Sequence, residues 1–128
     1  MIVLDASVMI AHLDATDAHH DRAAVLLLAA ASESLLASPI SLAEVLVGPA
    51  HVGRLADAVA ALDELGVRGV GLDHDAPSRL ATLRSETGLR LPDCCVLLAG
   101  EQVGADVATF DERLGATASR QGLSVRDR

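Results

Sequence analysis

Short apolar runs alternate with helical segments from one end of this chain to the other, and that alternation constrains the fold more than any other feature. Residues 1–4 form an apolar run that stops abruptly at Asp5, as a fully buried strand does, and 6–13 then read as a short helix. A longer helix is expected over about 17–31 and a second strand over 35–37. After the break at Ser38-Pro39 a helix is expected over 41–47, which Gly48-Pro49 should end. Val52, Leu55, Val59, Leu62 and Leu65 recur at three- and four-residue steps, which predicts an amphipathic helix over 50–65 closed by Gly66. Val70 and Leu72 predict the next strand, and Asp75 stands where it can cap a helix that Gly88 stops after Thr87. Pro92 suits a first helical turn, and the run 94–99 is apolar on every side, as in a buried helix. Further strands are expected within 105–110 and 123–125. Such alternation builds a parallel sheet covered by helices on both faces.

A chain of 128 residues is long enough for one core and too short for two, so 1–128 is expected to be a single domain. With one Phe, no Trp and no Tyr, that core must be made of Ala, Leu and Val. The N-terminal run carries no basic segment and meets a carboxylate at once, and no apolar run reaches the ~18 residues a membrane span needs. The expectation is therefore a cytoplasmic protein with no membrane association. Cys94 and Cys95 are adjacent, a spacing that disfavours an ordinary disulfide, and read as buried small hydrophobes.

Charge narrows function further. Eighteen acidic against ten basic residues give a net charge of −8, the wrong sign for holding nucleic acid by bulk attraction. Every basic residue is Arg. Phosphate chemistry that depends on a lysine is excluded, which removes a P-loop, an aspartyl-phosphate transferase and a phosphate-accepting receiver domain.

Among the acids, Asp5, Glu44, Asp93 and Asp111 stand at expected element boundaries rather than on helix surfaces. Each has a structural reading of its own. Asp5 can cap the helix after it, Asp93 and Asp111 suit first helical turns, and Ser41-x-x-Glu44 has the form of a capping box. Together they read differently, because ligands of open α/β sheets bind beyond the carboxyl ends of strands, where Asp5 and Asp111 both fall. Carboxylates gathered there repel one another unless a cation sits among them. Oxygen-only donors at an open site favour Mg2+ or Mn2+ over zinc. Such an ion polarises a phosphoryl oxygen and activates a water as nucleophile.

These residues lie in segments that are similar to those of a known family. The opening Met1-Ile2-Val3-Leu4-Asp5-Ala6-Ser7 with its apolar helix, Ser41-Leu42-Ala43-Glu44-Val45, Leu91-Pro92-Asp93, and Ala108-Thr109-Phe110-Asp111-Glu112-Arg113-Leu114 follow one another in the family's order. The chain resembles the PIN-domain nucleases, most closely the toxin ribonucleases of VapC type in type II toxin–antitoxin systems. That resemblance implies a three-layer α/β/α sandwich with a mostly parallel sheet and a pocket that uses Mg2+ or Mn2+ to cleave RNA. Asp5, Glu44, Asp93 and Asp111 match its acidic quartet, catalytic and metal-binding, with Glu112 a rival for the fourth place. Ser7 and Thr109 match its accessory polar positions. In-line attack by an activated water would leave 5′-phosphate and 3′-hydroxyl ends. A homodimer is implied, as is a cognate antitoxin whose basic C-terminal segment closes the pocket.

Arg90 and Arg113 lie close in sequence to Asp93 and Asp111, so they are candidates for RNA phosphate contacts or for plain ion pairs with those acids. Arg79 and Arg84 read as a solvated face. His19 and His20, as neighbours on a helix, point ~100° apart and do not chelate one ion together, so both read as surface residues. Asp73-His74-Asp75 reads as a cap rather than a metal cluster. The alternative to an enzyme is a catalytically silent PIN-like module that binds RNA or a protein partner, which retention of all four acids argues against.

Overall fold

The computed structural model describes residues 1–128 and contains seven helices and five strands. The strands are β1 (Ile2–Leu4), β2 (Leu35–Ala37), β3 (Val67–Gly69), β4 (Asp106–Ala108) and β5 (Val125–Arg126). Every pairing is parallel, and the spatial order is β3-β2-β1-β4-β5. The helices are α1 (Ala6–Leu13), α2 (His20–Ala29), α3 (Pro39–His51), α4 (Leu55–Leu65), α5 (Ala76–Thr87), α6 (Leu91–Val103) and α7 (Glu112–Arg120).

Strand parity builds two cores, because successive side chains of a strand point to opposite faces. Ile2 and Leu4, with Leu35 and Ala37, pack beneath α1 to α4, joined by Met9, Leu26, Val45 and Leu62. Val3 and Val107 face the other way, beneath α5 to α7, with Leu83, Leu97, Leu98 and Leu114. The expected three-layer α/β/α sandwich is what forms. The order of winding reverses between the neighbours β1 and β4: the elements after β1 build outward through β2 and β3, and those after β4 build the other way through β5. A parallel sheet opens its ligand crevice at such a switch point, beyond the carboxyl ends of the strands.

Several local expectations are corrected. The third helix begins two residues earlier than the apparent capping box, at Pro39, and its cap is the fully buried Ser38, whose Oγ accepts from the Ser41 N–H at 3.2 Å. Glu44 is thus in the helix interior and free for other work. Gly48-Pro49 does not end α3, which runs on to His51. A proline in a last turn deletes a single helical bond, which tertiary packing absorbs. The chain turns instead at Gly53, in the left-handed region at φ 71°, so the helix expected over 50–65 starts only at Leu55. Its expected face is only partly covered: Leu62 is buried, with Ala58 beside it, whereas Val52, Leu55 and Val59 are exposed. The third strand occupies Val67–Gly69 rather than Val70 and Leu72, because the left-handed Gly66 turns the chain straight from α4 into the sheet. Asp75 precedes α5 without a side-chain capping bond.

Ser38→Ala should cost about 1 kcal/mol, the usual worth of an N-cap hydroxyl. A urea midpoint lowered at constant m-value is the expected reading; an unchanged midpoint would remove the cap from the account of α3.

Candidate functional site

Asp5 leaves β1 at its carboxyl end and is 6% exposed. Although it occupies the cap position of α1, it makes no capping bond. Its Oδ2 accepts instead from the Ser7 hydroxyl at 2.7 Å and the Thr109 hydroxyl at 2.8 Å. Both bonds fall on one oxygen, which leaves Oδ1 uncommitted. Thr109 follows β4, so this contact ties together the two strands that flank the switch point. The same polar cluster holds the next turn: Phe110 N–H donates to Ser7 Oγ at 3.1 Å and Asp111 N–H to Thr109 Oγ1 at 3.0 Å. The two accessory hydroxyls therefore have an observed job, orienting one buried carboxylate and the loop that carries another.

Asp93 lies in the first turn of α6 and is 9% exposed, held there because the rest of that helix is buried against the sheet. Glu44 is half-buried on α3, which packs against α6. Burial pushes the Glu44 carboxyl above the usual carboxylate range, Asp5 and Asp93 push it further, and Arg90 opposes them. Burial likewise raises Asp93, with the charges of Asp5 and Asp111 adding and those of Arg90 and Arg113 opposing. Asp5, Glu44 and Asp93 thus lie within electrostatic reach of one another at the end of the sheet, and Asp111 within reach of Asp93. Asp111 is among the charges that reach Asp93; Glu112 is not.

Asp111 also keeps its structural role. Its Oδ1 accepts from the N–H groups of Arg113 at 2.9 Å and Leu114 at 3.0 Å, capping α7. Asp111→Asn should therefore retain α7 while losing the charge, whereas Asp111→Ala should lose about 1 kcal/mol as well. Thermal unfolding of the two variants separates the roles; equal stability would deny the cap.

The arginines divide. Arg90 Nε stands 3.9 Å from Asp93 Oδ2 and is exposed, a loose ion pair. Arg113 reaches back to the Gly88 carbonyl at 3.4 Å, before α6. Arg79 and Arg84 lie at the surface, as expected, but both are engaged there: Arg79 pairs with Glu101 at 2.7 Å, and Arg84 donates to the carbonyls of Gly88 and Leu89. His19 is exposed, as expected, but lies against Phe110; His20 is half-buried, its Nδ1 2.7 Å from the Ala11 carbonyl oxygen. Cys94 and Cys95 are free and buried. The largest cavity, about 820 Å³, lies elsewhere, between α2, β2 and the end of α4, and contains none of the four acids.

The donor set fits a hard divalent ion. Its chemistry is carboxylate oxygens alone, one of them free on Asp5, although no three of these side chains converge into a ready-made ligand set. Magnesium suits that arrangement, since it keeps several waters and takes one or two carboxylates with substrate phosphates.

The family model for the PIN domain matches residues 2–119. The chain belongs to the PIN domain family. PIN folds among solved structures superpose on nearly the whole chain. VapC20 of Mycobacterium tuberculosis, described as a toxin cleaving the sarcin-ricin loop, is 22% identical with TM-score 0.73, covering 91% of this chain and 95% of its own. FitAcB of Neisseria gonorrhoeae is 22% identical with TM-score 0.75, covering 99% and 97%. VapBC2 of Rickettsia felis, bound to a fragment of its promoter DNA, is 16% identical with TM-score 0.73, covering 98% of both. Comparison with curated protein sequences finds no match. No helix of this PIN domain is long and apolar enough to cross a membrane.

Proposed function

We propose that this PIN domain is the toxin of a type II toxin–antitoxin pair, an endoribonuclease that requires Mg2+ or Mn2+. The observation that carries the reading is the buried Asp5, oriented by Ser7 and Thr109, with Glu44 and Asp93 pushed toward protonation beside it. A fold gains nothing from gathering acids that oppose its own charge state; a cation site does. Likeness to a sarcin-ricin-loop-cleaving toxin and to toxin–antitoxin complexes supports the same class.

A divalent ion held by Asp5, Asp93, Glu44 and Asp111 would supply Lewis acidity toward a phosphoryl oxygen and ready deprotonation of a water. The protein's own part is geometric. Ser7 and Thr109 fix the Asp5 carboxylate, so no reorganisation is needed as charge develops. Glu44, whose carboxylate makes no hydrogen bond or ion pair of its own, is available to the ion from α3, coupled through its charge to Asp5 and Asp93. Arg90, exposed beside the pocket, and Arg113 are placed to meet flanking phosphates.

Partners follow from the surface. Val47, Val52, Leu55 and Val59 leave apolar area on α3, α4 and the turn between them for a second copy or an antitoxin. An acidic pocket is complementary to a basic antitoxin segment. The test is incubation of the antitoxin-free protein with total cellular RNA plus Mg2+ or Mn2+. Cleavage that a chelator abolishes is expected; no cleavage of any RNA under either ion would favour the binding module instead.

A further inference from the structure

A second cleft, of about 550 Å³, opens beside the acidic pocket between the starts of α2 and α7. The cleft adjoins the gathered acids, because Thr109 and Asp111 line it while Thr109 also holds Asp5. Inside it lies the only Phe, Tyr or Trp ring of the chain, Phe110. The His19 ring sits 5.1 Å from it, tilted by 41°, and the Arg22 guanidinium carbon 4.7 Å from its centroid. The assembly is held in place: Phe110 by its bond to Ser7, Arg22 by donation from Nε to the Asp127 carbonyl at 2.6 Å. Yet it is not sealed, for His19 is exposed and the Arg22 side chain is 40% exposed. Three π systems in contact, ordered and open to solvent, form a platform for another flat group.

Charge decides which flat group. Asp111, Glu112 and Asp127 line the cleft, outnumbering Arg22 and His19, so a phosphate is the wrong occupant. A neutral ring with N–H donors for those carboxylates is the right one, and a cytosine or adenine amine meets that need. The volume is within the range of small-ligand clefts.

We propose that this cleft seats an unpaired RNA base bearing an exocyclic amine, stacked on His19 and Arg22 over Phe110, in a strand whose phosphate lies at the acidic pocket. The inference rests on the ribonuclease reading and assigns that reading a base-selecting residue set.

The test measures binding alone, in chelator, where no cleavage intervenes. The chain has no Trp, so His19→Trp places a single fluorophore on the platform. Hexacytidylate should quench its emission, and an abasic chain of equal length and charge should not. With the wild-type protein, hexacytidylate should bind about ten- to hundredfold more tightly than the abasic chain, and more tightly than hexauridylate. His19→Ala, an exposed change that leaves the Arg22–Asp127 anchor intact, should shrink the preference over the abasic chain; His19→Ala with Arg22→Ala should abolish it. Equal binding of hexacytidylate and abasic chain by the wild type overturns the proposal, as does a preference that survives in the double variant. Robust metal-dependent cleavage without base preference would sink only the base slot, whereas base-dependent binding without any cleavage would sink only the nuclease reading.

Discussion

Asp5→Asn is expected to lower the single-turnover rate of RNA cleavage by more than a hundredfold while leaving the melting temperature within a few degrees of wild type. The substitution is nearly isosteric, and the amide oxygen can take the place of Oδ2 in accepting from Ser7 and Thr109, so the junction of β1 and β4 survives. What disappears is the negative charge and the uncommitted oxygen Oδ1. Changes to groups that merely orient a metal ligand already cost ~10–100-fold, and Asp5 is placed as a ligand itself. Thr109→Val supplies the graded comparison. It removes the bond to Asp5 and the acceptor for the Asp111 N–H, leaves every carboxylate, and should fall in that ~10–100-fold range. Wild-type cleavage by a folded Asp5→Asn protein would remove the acidic pocket from the reaction, however well the fold matches.

The sheet was legible because its central strands are buried on both faces, so a plain apolar run such as 1–4 names itself and stops where Asp5 meets the crevice. The helices after β2 were less so. Gly48-Pro49 carries a local signal for termination, but packing of α3 against α4 and α6 outweighs one lost helical bond, so the helix runs on to His51 and the chain turns at the left-handed Gly53. The apolar spacing of Val52, Leu55 and Val59 is real, yet nothing within the single chain covers it. Periodicity identifies a face without saying whether its partner is intramolecular. At the site, the acids announced themselves by position, whereas the bonds of Ser7 and Thr109 to one oxygen of Asp5 needed the registry of β1 with β4. The proximity of His19, Arg22 and Phe110 had no signal in sequence at all, because it depends on α2 returning to the end of β4.

The second large effect is a reversal of stability order between wild type and Asp93→Asn on adding metal. Glu44 and Asp93 both have carboxyls raised in the fold by burial and by like charge. A raised acid contributes stability that is fully present below its unfolded pKa, about 4, and lost as pH rises through the folded value. At neutral pH the metal-free wild type therefore carries two charges that act against its fold. Asp93→Asn removes one and relieves the other, so it should melt a few degrees higher at pH 7, with the gap closing near pH 4. Metal inverts the order, since an ion at a hundred times its Kd adds about 2.7 kcal/mol, roughly 8–12 °C for a chain of this size. Wild type should gain that shift and the variant little of it. Because the ion must displace protons from the raised carboxyls, the gain should also shrink as pH falls from 7 toward 5. Calorimetric scans of both proteins, with chelator and with Mn2+, carry the whole comparison. Equal shifts in the two proteins would place any bound ion away from Asp93. A metal-free variant less stable than wild type would show that Asp93 supports the fold, and the gathered acids would then need a structural explanation rather than a cation.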